Sequence, residues 1–201
     1  GVMAKLHQVM QPHLSEMFFS PKLVLVEGLE DAAYIQAWLV LSGRWDAYRA
    51  AGAHVVAVNG KSELIRPLII AAELGIPTFA TFDCDGGKIA HDNPARAEEL
   101  RRVHERENKA ILTLVGGDPA TPFPGDIQWG DAFAAWPDDL GKCVEADAGA
   151  NWIAAGNVAS ATLGGVGGLK KNALHVGARL SELHRLEVPM PTLDQLCESV
   201  I

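Results

Sequence analysis

Leu23-Val24-Leu25-Val26-Glu27-Gly28 opens the stretch PKLVLVEGLEDAAYIQAWLVL (residues 21–41), whose reading decides the architecture. The four consecutive aliphatic residues have the length and character of a strand. After Glu27-Gly28 the pattern becomes that of a buried helix over Glu30–Leu41, with Ala33, Ile35, Ala37, Trp38 and Leu41 apolar. The same rhythm then repeats. His54–Val58 (HVVAV) reads as a second strand, Asn59-Gly60 as its turn, and about Ser62 to Leu74 as a helix that Gly75 stops. Pro77 opens a third apolar run, TFATF, which ends at Asp83. Ala95–Lys109 is densely charged with helical period, and Ile111–Val115 (ILTLV) reads as the fourth strand. Strands alternating with helices specify βαβ units with right-handed crossovers. The expected class is therefore α/β, a mostly parallel four-stranded sheet flanked by helices.

Working outward, residues 1–20 form an amphipathic lead-in cut by Pro12. Its Met10, Leu14, Met17, Phe18 and Phe19 call for burial, so the segment reads as a linker from something larger upstream. Residues 21–130 read as the core domain. Residues 116–131 carry four Gly, three Pro and three Asp, which marks an irregular excursion. From 131 to 201 the chain shows no convincing strand and is rich in Ala, Gly and Leu. It reads as an added helical subdomain, broken at Gly164-Gly165 and Gly167-Gly168 and punctuated by Pro189 and Pro191. A chain of 201 residues buries a sizeable core without staples. Its three cysteines, Cys84, Cys143 and Cys197, form no C-x-x-C, which excludes a disulfide scaffold and a four-cysteine zinc site and fits a reducing cytoplasm. No apolar run reaches spanning length, and no signal peptide is visible. The net charge of −8 argues against holding nucleic acid by bulk charge.

Acidic residues fall where a parallel sheet exposes its working edge. Glu27 follows the first strand, and Asp83 and Asp85 follow the third; ligands of open α/β sheets bind beyond these carboxyl ends. Alternation sends Asp83 and Asp85 to one side and Cys84 inward, and Asp31 stands one helical turn from Glu27. At about 5 Å and an effective dielectric near 20, each like-charged pair costs roughly 3 kcal/mol. Protonation or a divalent cation relieves that repulsion, and oxygen-only ligands favour Mg²⁺ or Mn²⁺ over zinc.

Leu25-Val26-Glu27-Gly28 followed by Asp83-x-Asp85-Gly86 resembles the Toprim domain, over about Phe18 to Val115. The lead-in MFFSPKLVLVEGLEDAAYI is most similar to the C-terminal catalytic region of OLD (overcoming lysogenization defect) nucleases. The resemblance implies a Toprim-like sheet and a DNA endonuclease or nickase using two Mg²⁺ or Mn²⁺ ions. It also implies an ABC-type ATPase domain upstream, with homodimerisation left open. It makes Glu27, Asp31, Asp83 and Asp85 metal ligands, with Glu27 alternatively a general base. A further acidic ligand is expected from the later helices, Glu145 or its neighbour Asp147, and a basic residue beside the scissile phosphate, Lys170 or Lys171. Under this reading the acidity locates a cation site, and much of the grip on DNA comes from elsewhere.

Rival chemistries fit less well. Strand passage needs a tyrosine nucleophile, and Tyr34 and Tyr48 both lie in the first helical region. A primase normally carries a zinc ribbon, whose cysteines are lacking. The dehalogenase-type phosphatase places D-x-D after the first strand, whereas here it follows the third. Gly60-Lys61-Ser62 fails as a P-loop because Val55 stands where the first glycine belongs; Gly60 is expected to turn the chain and Ser62 to cap a helix. Arg102, Arg106 and Lys109 share one helical side but are interleaved with glutamates, the pattern of a solvated face. A non-catalytic Toprim-like module, binding metal or mediating dimerisation, is the alternative of a different class.

Overall fold

Parallel pairing sets β1 (Lys22–Val26) between β2 (Ala53–Ala57) and β3 (Thr78–Asp83), with Val26 opposite Ala57 on one side and Thr81 on the other. The computed structural model describes residues 19–165 and 172–201. Helix α1 (Leu29–Leu41) and the short α2 (Trp45–Ala50) connect β1 to β2. A 3₁₀ turn (Lys61–Leu64) running into α3 (Ile65–Glu73) connects β2 to β3. The chain is therefore the repeating βαβ arrangement read from its periodicity. Ser62 does not cap a helix; the 3₁₀ turn begins at Lys61, and Ser62 is exposed within it.

Two expectations change beyond β3. Ile111–Val115 is not a strand but the last turn of α4 (Pro94–Val115), a 22-residue helix. Asn93 caps its start through hydrogen bonds from the Ala95 and Arg96 amides, and Gly116 ends it at φ 78°. A short apolar run reads alike as strand or helix end. Packing decided it, with Ile111 and Leu112 buried against the sheet and Leu114 exposed. The remaining parallel strand is β5 (Phe133–Trp136), inside the region expected to hold none. It pairs with β3 so that Asp83 faces Trp136, and β4 (Gln128–Gly130) adds an antiparallel edge. The sheet thus has five strands in the order β2-β1-β3-β5-β4, mostly parallel, and it continues past residue 130. The residues after β5 do form helices: α5 (Leu140–Ala148), α6 (Asn151–Thr162), α7 (Ala173–Arg185) and α8 (Pro191–Val200).

The period of two along each strand divides the core into two layers. Leu23, Leu25, Ala80, Phe82, Phe133 and Ala135 pack with Leu64, Leu68, Ile111 and Leu112. Val24, Val26, Phe79, Ala134 and Trp136 pack on the opposite side with Ile35, Leu39, Val144, Leu180 and Leu196. The C-terminal helices therefore complete one face of the sheet, with α7 packed along α1. Trp136 is wholly buried, and its indole N–H donates to Thr81 Oγ1 at 2.5 Å. Among the described residues no helix is long and apolar enough to cross a membrane.

Candidate metal centre

Parallel strands end together, so β1, β3 and β5 deliver their following residues to one edge. Glu27 leaves β1, Asp83 closes β3, and Pro137-Asp138-Asp139 leave β5. The exits of β3 and β5 are laced by main-chain bonds, from the Cys84 amide to Trp136 O at 2.8 Å and from Gly86 to Pro137 O at 2.9 Å. This contact requires glycine. A Cβ on Gly86 would stand 2.9 Å from Pro137 O, and one on Gly87 would stand 2.5 Å from Asp138 Oδ2. The Gly87 amide instead donates to Asp138 Oδ1 at 2.7 Å.

The two central acidic residues meet through the main chain. Glu27 Oε1 accepts the Asp83 amide at 2.8 Å. Burial, then the charges of Asp85 and Asp31, push Glu27 up to about 7 despite that hydrogen bond and Lys61. Burial likewise drives Asp83 up to about 9, with Glu27, Asp31, Asp85 and Asp139 adding to the rise. Carboxylates whose ionisation is opposed by burial and by one another hold on to protons, and a bound cation can take the place of those protons. Asp31 Oδ2 accepts the Gly28 amide at 2.9 Å and so ties the start of α1 to this edge.

Asp85 behaves differently from Asp83. β3 ends at Asp83, and Asp85 takes a left-handed conformation at φ 57°, so simple alternation does not set its direction. Its Oδ2 lies 2.5 Å from Lys61 Nζ and 3.1 Å from His104 Nδ1, and its Oδ1 lies 2.5 Å from Lys88 Nζ. Burial opposes ionisation of Asp85, but the two lysines prevail and hold its carboxyl below the usual range. Cys84 points inward and is fully buried, with its thiol pushed up to about 12 by burial.

Glu145 lies on α5. It lines a groove of about 520 Å³ with Glu30, Tyr34, Asp139, Trp152 and Arg179, where the Arg179 guanidinium lies 3.9 Å from the Trp152 ring centre. Asp147 accepts the Thr192 amide at 2.8 Å and fastens the start of α8. Lys170 and Lys171 lie outside the described residues. Arg102 pairs with Glu98 at 2.9 Å and Lys109 with Glu105 at 2.6 Å, so that helical side is a salt-bridged surface.

Sequence reading missed two residues at this edge. Asp139 acts electrostatically on Asp83 and caps α5 through the Lys142 amide at 2.8 Å. Its signal was present, because Trp136-Pro137-Asp138-Asp139 is an acidic pair after an apolar run, but the run had not been taken as a strand. Lys61 stands in the Gly60-Lys61-Ser62 stretch that fails as a P-loop, where the sequence leaves it only as a residue able to touch a phosphate, and its burial beneath the D-x-D loop has no local signature.

Residues 18–85 match the family model for the Toprim domain of overcoming lysogenization defect-like proteins. This segment is an OLD-like Toprim domain. None of the curated proteins compared with the chain matches it. The matched segment runs from just before β1 to the second aspartate of D-x-D, so it contains Glu27, Asp31, Asp83 and Asp85. Toprim domains generally bind divalent cations such as Mg²⁺. The donors at this sheet edge fit such an ion in chemistry, being carboxylate oxygens, and the half-buried Glu27 and Asp83 have no ion-pair partner among the described residues. Among the described residues, no three His, Cys, Asp or Glu side chains stand ready as a ligand group, and Asp85 is already compensated by lysines. Glu27 and Asp83 are the residues that fit the ion best.

Proposed function

We propose that this chain is the catalytic module of a divalent-metal-dependent endonuclease or nickase acting on DNA phosphodiester bonds. One observation carries the reading: in an OLD-like Toprim segment, half-buried Glu27 and Asp83 are apposed at the open edge of the sheet. A bound Mg²⁺ or Mn²⁺ would supply Lewis acidity to a phosphodiester there, and a second ion would extend the same chemistry to the leaving oxygen. Glu27 and Asp83 hold the ion, with Asp31 and Asp139 as neighbouring negative charge and Asp85 behind them. Glu27, which has no lysine partner within salt-bridge distance among the described residues, is alternatively the group that takes a proton from attacking water. Glu145 is the proposed later ligand. Lys170 or Lys171 is the proposed phosphate contact, a cation placed where charge grows in the transition state. An upstream ABC-type ATPase domain would provide much of the grip on DNA, and a homodimer would double the number of sites.

The test is metal-dependent nicking of supercoiled plasmid. Wild type is expected to nick with Mn²⁺ or Mg²⁺ and not with chelator, and Asp83→Ala to lose the activity; equal nicking by Asp83→Ala refutes the assignment. The Lys61 and Lys88 pairs on Asp85 favour one other reading, a metal-binding or dimerisation module without catalysis. Metal uptake with no cleavage of any nucleic acid would support that reading.

A further inference from the structure

Lys61 is only 6% exposed, whereas lysines are almost never buried without a partner. Its Nζ donates to Asp83 O at 2.8 Å and to Asp85 Oδ2 at 2.5 Å, and stands 3.3 Å from His104 Nδ1. Both acceptors flank Cys84, so one ammonium lies beneath the loop that carries both aspartates. The backbone steers it there. Asn59 and Gly60 both adopt positive φ, 64° and 134°, as the chain leaves β2, and the Gly60 amide donates to Glu27 O at 2.9 Å. The exit of β2 is thereby tied to Glu27, and its next residue to Asp83 and Asp85. Lys88 takes the other oxygen of Asp85. Asp85 is thus paired with two lysines, while among the described residues no cation forms an ion pair with Glu27 or Asp83.

We infer that Lys61 is an internal counter-cation that competes with a divalent ion for Asp85. The inference rests on the metal-site reading above. Lys61 is a positioning residue, acting through Asp83 and Asp85. An ion seated on Glu27 and Asp83 meets a positive charge already on Asp85, and full engagement of Asp85 requires the ammonium to withdraw. A lysine suits this role, being a compact point charge on a flexible stem. A simple fastener would behave oppositely, since loosening the loop would spoil the site.

The two possibilities differ in sign. In calorimetric titrations of Mn²⁺, Lys61→Met is expected to bind about tenfold more tightly than wild type, equivalent to about 1.4 kcal/mol. Unchanged or weaker binding by the folded variant overturns the inference. A second measurement needs no variant: the slowly exchanging ¹H–¹⁵N ammonium signal of buried Lys61 in wild type should shift or vanish at saturating Mg²⁺. A signal that stays in place overturns the inference even where Lys61→Met fails to fold. A wild-type chain that takes up no Mn²⁺ overturns the metal-site reading itself, and this inference with it.

Discussion

Replacing Glu27 with glutamine should make the metal-free protein more stable, although Glu27 sits at the functional edge. The amide oxygen of glutamine keeps the bond from the Asp83 amide, seen at 2.8 Å, while the buried charge disappears. Folded Glu27 holds its proton up to about 7, from an ordinary value of 4.5, because burial and neighbouring carboxylates disfavour its charge. Stability linked to such a group is fully present below about pH 4.5 and is lost as the pH rises through about 7. Above that range the penalty approaches about 3 kcal/mol. For a chain of this size it corresponds to a melting temperature higher by about 6–12 °C in Glu27→Gln. Thermal unfolding in EDTA at about pH 5 and about pH 8 measures the difference, which should be several times larger at the higher pH. Saturating Mg²⁺ should close it by stabilising wild type selectively. Equal melting temperatures in EDTA at the higher pH, or an advantage of the same size at both, would refute the electrostatic account of this edge.

Further perturbations separate the acidic residues by role. Asp83→Ala should lower plasmid nicking by about a hundredfold or more, the scale of losing a transition-state electrostatic contact, with the fold retained by circular dichroism. Asp139→Asn keeps an effective helix cap but removes a charge that acts on Asp83, so Mn²⁺ affinity should fall by about tenfold in calorimetry. Glu145→Gln under the same titration should fall as well if the later ligand is correctly assigned; an unchanged affinity would transfer that role to Asp139. Asp147→Ala removes the acceptor of the Thr192 amide and should reduce stability by about 1 kcal/mol in denaturant unfolding while leaving Mn²⁺ binding as in wild type.

The first three strands and their helices were legible because each carries its own periodicity. Leu23–Val26 is an unbroken apolar run and Thr78–Phe82 an uncharged one rich in β-branched and aromatic residues, and such runs belong to strands covered on both faces. Two of the central residues, Glu27 and Asp83, were legible for a related reason, since a polar residue closing an apolar run marks a strand end. Phe133–Trp136 was not legible. Four residues with two alanines carry little strand propensity, and they are strand because Phe133 and Ala135 fill one layer while Ala134 and Trp136 fill the other. The same tertiary demand took Ile111–Val115 the opposite way, since Ile111 and Leu112 are covered as the end of a helix that Asn93 had already started.

By itself, then, the sequence determined the βαβ order and the placing of Glu27, Asp83 and Asp85 after strands, because period and strand ends are properties of neighbouring residues. Only tertiary structure decided which charges meet. Asp139 approaches Asp83 because β5 joins the sheet beside β3, and Lys61 meets Asp85 because two positive-φ residues turn the chain beneath the D-x-D loop. Coulomb interaction depends on separation in space and on burial. Residues 22 positions apart along the chain, such as Lys61 and Asp83, acquire both only when the sheet closes.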